Sequence, residues 1–194
     1  MITTIIFDWG GVIANRDNVF AAKKLASKYD LNEEVLLKAL ADYEDEYSVD
    51  EHYDGYLKKI KDEFDLSYQE VIDAKNGVAP GGVLELAEKL KANGYPVYIH
   101  SDQPKFRADF INENYNLKPF EKVFFSCDIG VIKKYAKAFE IVLSDIAKRA
   151  EECLFVDDRE INLKIAGGLG MNTILFNDLE QLKQDLEKFE IKYL

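Results

Sequence analysis

Five short runs of the chain are apolar almost without interruption: Thr3–Asp8 (TTIIFD), Tyr95–Ser101 (YPVYIHS), Lys122–Ser126 (KVFFS), Glu152–Asp157 (ECLFVD) and Met171–Phe176 (MNTILF). Strands with one wet face alternate apolar and polar residues, whereas continuous runs of this length predict strands covered on both faces. From Gly82 onward the runs alternate with helical stripes. Val83, Leu86 and Leu90 recur at helical spacing and stop at Asn93-Gly94; Phe106, Phe110, Ile111 and Tyr115 form a second stripe. A third runs from Phe139 through Val142, Leu143, Ile146 and Ala147 to Ala150. Ile161, Ile165, Ala166 and Leu169 precede Gly170, and Leu179, Leu182, Leu186 and Phe189 close the chain. Strand–helix alternation of this kind predicts βαβ units, hence an α/β fold with a Rossmann-like, doubly wound parallel sheet.

One segment breaks the rhythm. Between Asn15 and Val78 there is no strand pattern, only four amphipathic stripes, led by Val19-Phe20, Val35-Leu36, Tyr56-Leu57 and Val71-Ile72. Short helices of this size can bury a common face as a small bundle. The organisation expected is therefore a core of residues 1–14 and 79–194, interrupted at 15–78 by a helical-bundle cap, with Ala79-Pro80-Gly81-Gly82 marking the return.

With 47% apolar residues in a chain of 194, there is enough material for a packed core. The 25 basic and 36 acidic residues leave a net charge of −11. Such a field repels nucleic acid and anionic membrane, so neither is an expected partner. A polyanionic ligand would need a locally positive pocket or a bound cation. Cys127 and Cys153 lack CxxC spacing and read as buried, reduced thiols. Met1–Phe7 is short and without basic residues, unlike a signal peptide, and no apolar stretch spans a membrane, so a soluble cytoplasmic protein is expected. Whether it is a monomer or a homodimer the pattern leaves open.

The chemistry sits at the strand ends, where open parallel sheets bind ligands. The first strand runs into Asp8, the second ends in Ser101, and the fourth ends in Asp157-Asp158. The loop after the third leads through Gly130 to Lys133. Carboxylates, a hydroxyl and an ammonium on one rim suit a magnesium ion and a phosphate, with hard oxygen ligands for the cation and donors for the anion.

In this order and with this insert, the set resembles the haloacid dehalogenase (HAD) superfamily, in particular its small capped phosphatases of the sugar-phosphate type. Ile5-Ile6-Phe7-Asp8-Trp9-Gly10-Gly11-Val12 resembles the first motif and Tyr98-Ile99-His100-Ser101 the second. Gly130-Val131-Ile132-Lys133 resembles the third, and Leu154-Phe155-Val156-Asp157-Asp158 with Asn162 the fourth. The resemblance implies a Mg²⁺-dependent phosphatase for a small phosphorylated metabolite. Asp8 would be the nucleophile that forms an aspartyl-phosphate, and Lys133 would neutralise charge beside it. Ser101, Asp102 and Lys133 would hold the phosphate. Asp8, the carbonyl of Gly10 and Asp158 would hold the metal, with Asp157 and Asn162 supporting them. A cap over the site argues against protein or nucleic-acid substrates.

The main departure is Gly10, where such phosphatases commonly carry a second aspartate as general acid and base. Three consequences are open: a substrate whose leaving group needs no proton, such as a sugar 1-phosphate or acyl phosphate; a substitute acid, Asp17 or Asp102; or binding without turnover. Carbon–halogen hydrolysis by the same nucleophile is a further reading, against which the Asp157-Asp158 pair speaks. Asp102 stands where an Asn is common, and Lys134 where a Pro is; spacing from Gly130 favours Lys133 over Lys134 for the site. His100 points to the face opposite Ser101 and is expected to be packed. His52 reads as a solvated or packed residue. Trp9 either walls the site or packs beneath it, and Tyr43, Tyr47, Tyr53 and Tyr56 read mainly as cap core.

Overall fold

Each apolar run forms a strand: β1 (Thr4–Phe7), β2 (Val97–Ser101), β3 (Lys122–Phe125), β4 (Cys153–Asp157) and β5 (Asn172–Leu175). They build one five-stranded sheet in the order β3-β2-β1-β4-β5, with every neighbouring pair parallel. The computed structural model describes residues 1–47, 49, 54–76 and 81–193, the side chains of 43–47 and 54 excepted.

The strands are apolar throughout because both faces are covered. Ile5 and Phe7 of β1 join one core cluster, which includes residues of α5 (Val83–Ala92), α6 (Lys105–Asn114) and α10 (Leu179–Lys188). Ile6, between them, points the other way into a second cluster with α8 (Ala136–Asp145) and α9 (Glu160–Gly168). Full burial of one such Phe or Ile contributes about 1.5–3 kcal/mol relative to leaving it exposed. The sheet is thus doubly wound, and the chain leaves β1 in both directions across it. That reversal opens a crevice beside the carboxyl end of β1.

Two local differences from the sequence pattern have clear causes. The stripe from Phe139 to Ala150 is not one helix: α8 stops at Asp145, and Ala147 adopts φ +53°. The Lys148 N–H then bonds back to the Leu143 carbonyl at 3.1 Å, closing the helix end without the glycine that usually announces such a turn. Beyond β3 the chain forms one unpredicted turn of helix, α7 (Ser126–Ile129), which ends at Gly130 with φ +74°. That left-handed glycine lets the chain double back toward the site at Lys133.

The segment between β1 and α5 contains α1 (Asp17–Tyr29), α2 (Glu33–Tyr47), α3 (Asp54–Phe64) and α4 (Tyr68–Lys75). Leu25, Leu36, Leu40, Tyr56, Ile60 and Val71 meet in a separate core, closed from the sheet side by Phe106 of α6. Polar groups reinforce this seam. Buried Arg107 lies 2.9 Å from Asp17 Oδ2 and donates to Asn76 Oδ1 at 2.8 Å; buried Lys75 donates to Asn18 Oδ1 at 2.8 Å. Tyr56 is packed against Phe106, as its spacing predicts, with ring centroids 5.9 Å apart. His52 and Tyr53 lie outside the described residues, as do the side chains of Tyr43 and Tyr47 and the expected boundary at 78–79. Among the described residues no helix is long and apolar enough to cross a membrane.

Candidate active site

Asp8 is fixed at the crevice by its own backbone. Its N–H bonds the Val156 carbonyl at 2.9 Å, extending the β1–β4 ladder by one residue. The chain then turns tightly: the Trp9 carbonyl accepts from Ile13 and Ala14 at 3.0 and 2.9 Å, and Gly11 N–H donates to the Ala14 carbonyl at 2.6 Å. In that turn the Trp9 N–H donates to Asp8 Oδ1 at 2.7 Å, so the carboxylate is held by the residue that follows it. The Trp9 ring packs in the core against Tyr115, centroids 5.1 Å apart, and does not wall the site.

Lys133 completes the centre. Its ammonium is 2.8 Å from Asp8 Oδ1 and 2.7 Å from Asp157 Oδ2, with 2% of the side chain exposed. Lys134 is exposed beside it, so Lys133 and not its neighbour reaches Asp8. Asp157 is saturated, accepting also from Asn162 Nδ2 and from the Arg159 N–H at 2.8 Å. Burial pushes the Asp8 carboxyl up to about 7, against the pull of Lys133. Burial acts against the Lys133 charge too, but Asp157, Asp8 and Asp102 outweigh it and hold the ammonium above the usual lysine range. Removing the Lys133 ammonium would leave the buried carboxylates without their counter-ion, which costs about 3–5 kcal/mol.

Ser101, at the end of β2, lines the same cavity as Asp8, and its Oγ accepts from Gln103 Nε2 at 3.2 Å. The Asp102 carboxylate is turned the other way: both its oxygens accept from the Lys133 N–H, at 3.0 and 3.2 Å. It anchors the loop that delivers Lys133, so phosphate contact from residue 102 would fall to its backbone. Nor is Asp17 a spare acid, because Arg107 and Lys75 take its carboxylate. His100 is fully buried between Phe139 and Phe155, as expected for a packed residue, and burial holds its pKa well below the usual histidine range.

The cavity above these groups has a volume of about 420 Å³. Asp8, Gly10, Ser101, Lys133 and Asp158 line its floor, and Arg16, Asn18, Val19, Leu37, Ala41 and Asp42 its helical side. Carboxylate oxygens of Asp8, Asp157 and Asp158 lie within 4.8 Å of one another. Among the described residues Asp158 Oδ1 is buried with no hydrogen-bond partner, although Oδ2 meets Arg16. Gly11, at φ +87°, passes so close that a Cβ there would lie 2.0 Å from Asp158 Oδ2. An unsatisfied buried carboxylate oxygen in a tight backbone cradle beside a second carboxylate suits a small hard cation.

A family profile for haloacid dehalogenase-like hydrolases matches residues 2–170. The chain belongs to this family. It is 31% identical over 113 residues, 55% of this chain, to the rat bifunctional epoxide hydrolase 2. It is 28% identical over 193 residues to a drimenol cyclase of Aspergillus calidoustus. It spans 20% and 36% of those two relatives' lengths. A single-residue mutant of a HAD family enzyme of Bacteroides thetaiotaomicron, crystallised with magnesium and inorganic phosphate, superposes with TM-score 0.74 at 22% identity, covering 94% of this chain and 99% of that one. The L-2-haloacid dehalogenase of Xanthobacter autotrophicus superposes at 0.69 with 16% identity, covering 99% and 85%.

This HAD-like site brings together Asp8, Gly10, Ser101, Lys133, Asp157, Asp158 and Asn162, which the sequence pattern had marked. The pattern missed Arg16, Asn18, Asp42 and Gln103. Arg16 reaches Asp158 across 142 residues, and no local spacing announces that meeting. The close approach of Gly11 yields a prediction. Gly11→Ala is expected to destabilise the protein by about 1–3 kcal/mol through backbone strain and collision with Asp158. It should also lose any Mg²⁺-induced rise in melting temperature. Gly10→Ala, whose Cβ meets nothing nearer than Gln103 Nε2 at 3.8 Å, should behave like the parent in the same denaturation series.

Proposed function

We propose that this HAD-family hydrolase is a Mg²⁺-dependent phosphatase for a small phosphorylated metabolite, acting through an aspartyl-phosphate on Asp8. The observation that carries the reading is the Lys133 ammonium clamped between Asp8 and Asp157, with Asp158 close by. Carbon–halogen hydrolysis needs the nucleophile but has no use for a three-carboxylate cluster. Magnesium and inorganic phosphate bound together in the Bacteroides enzyme support the same choice. Held by Asp8, Asp158 and the Gly10 carbonyl, Mg²⁺ would supply positive charge beside the phosphoryl oxygens.

In this reading Oδ1 of Asp8 stays bonded to the Trp9 N–H and Lys133, and Oδ2 attacks phosphorus. The ester oxygen departs in line, and water then cleaves the phosphorus–Oδ2 bond to regenerate the carboxylate. Ser101 and Lys133 are the donors to the phosphoryl group. Residue 10 offers no proton to the departing oxygen, and Asp17 and Asp102 are both committed elsewhere. The substrates favoured are therefore those whose leaving group is stable as an anion, a sugar 1-phosphate or an acyl phosphate. Residues 15–78 act as a cap over a cavity of metabolite size, with the core at 1–14 and 79–194.

The test is phosphate release from a broad panel of phosphorylated metabolites, with Mg²⁺ and with EDTA. Release that needs Mg²⁺, fastest on anomeric and acyl phosphates, is expected. Dehalogenation of 2-haloacids that survives EDTA would overturn the reading. No release from any member, with ligands still raising the melting temperature, would make the protein a phosphate-binding relative that has lost turnover, the consequence Gly10 invites.

A further inference from the structure

Arg16 stands where the β1 loop passes into α1, with its side chain 56% exposed. It nevertheless lines the cavity. Nε is 2.5 Å from Asp158 Oδ2, and Nη2 is 3.5 Å from the Asp158 carbonyl. Charge accounts for this pose. Asp158, only 9% exposed, sits beside Asp8 and Asp157, and Lys133 is already shared by those two carboxylates. Among the described residues, Arg16 is the ionic partner of Asp158 and the cation that lines the cavity from the helical side, whereas Lys133 and Arg159 line it from the core.

Asp158 cannot serve two cations equally. A divalent ion draws its oxygens more strongly than a solvated guanidinium does, and it repels that guanidinium at short range. The exposed Arg16 stem can swing without breaking any other bond shown. The other carboxylates near it are already engaged: Asp17 with Arg107, Asp42 with Lys38, Asp102 with the Lys133 N–H, and Asp157 with Lys133, Asn162 and the Arg159 N–H. What remains within its reach is the cavity, next to Gly10 and Asn18.

Resting on the phosphatase reading, we infer that Arg16 is an exchangeable counter-ion: it neutralises Asp158 until the metal arrives, and then turns to the substrate's leaving-group oxygen. A guanidinium donates hydrogen bonds without giving up its proton. It can therefore stabilise charge developing on that oxygen where Gly10 supplies no acid, while the oxygen leaves unprotonated and takes its proton from solvent.

The two halves of this role predict opposite effects of one substitution. In Arg16→Gln, Mg²⁺ titrated into substrate-free protein and followed by the melting temperature should bind about three- to tenfold tighter, because its competitor is gone. At saturating Mg²⁺, kcat/KM should fall by about ten- to a hundredfold, more for alcohol leaving groups than for acyl phosphates. Arg16→Lys should restore the weaker Mg²⁺ binding in part. Unchanged or weaker Mg²⁺ binding by Arg16→Gln would overturn the inference, as would a kcat/KM loss equal for both leaving-group classes. A wild-type protein that releases no phosphate from the panel would sink the phosphatase reading, while the Mg²⁺ titration would still decide whether Arg16 competes for Asp158.

Discussion

Asp8→Asn is expected to abolish phosphate release, by at least about 10⁴-fold, while the protein stays folded. An amide has no lone pair comparable to a carboxylate oxygen for attack on phosphorus, and loss of a covalent nucleophile is among the largest single-residue effects in enzymes. The fold should tolerate the change for a reason visible in the site. Burial already pushes the Asp8 carboxyl up to about 7, so a neutral group of the same shape suits the position in the metal-free protein. Lys133 keeps its ion pair with Asp157 at 2.7 Å. The melting temperature without metal should therefore be equal to the parent's or higher, and its response to Mg²⁺ should be weakened. Turnover surviving in a folded Asp8→Asn protein would exclude the aspartyl-phosphate route.

The second large effect is a gain. Gly10→Asp should raise kcat on phosphate esters of ordinary alcohols by about tenfold to a hundredfold. Positioned general acid–base catalysis is typically worth roughly 10²–10⁴-fold, and a grafted carboxyl should recover the lower part of that range. The site has room for it: a Cβ on Gly10 meets only Gln103 Nε2, at an ordinary 3.8 Å, and the glycine is not among those with positive φ. Acyl phosphates should gain little in the phosphorylation step, because a carboxylate departs without a proton. Steady-state rates on matched alkyl and acyl phosphates would show this; an equal change on both would mean that residue 10 does not act on the leaving group.

Much of this protein was legible in order along the chain. Strands buried on both faces are apolar at every position, so β1 to β5 stood out without any knowledge of their pairing. Their ends then marked Asp8, Ser101 and Asp157-Asp158 as residues of one rim, because parallel strands align their carboxyl ends. Lys133 was reachable by its spacing from Gly130. The end of α8 was not legible, because Ala147 takes up a left-handed turn that its side chain does not advertise.

What the chain left undecided were the questions about which side chain faces which. Asp17 and Asp102 were equal candidates for a substitute acid until the fold gave one to Arg107 and the other to the Lys133 N–H. Trp9 was undecided until Tyr115 covered it. Arg16 had no signal at all, since its partner is 142 residues away. Local composition is enough to specify a buried strand and the residue at its end, because burial and backbone geometry act on near neighbours. The pairing of charges across a crevice depends on distances that exist only once the sheet, the helical insert and the returning loop have closed around it. The sequence alone therefore determined an α/β sheet with a carboxylate-rich rim; the tertiary structure decided which cation or N–H each carboxylate meets, and left Asp158 Oδ1 unpaired beside Asp8 among the described residues.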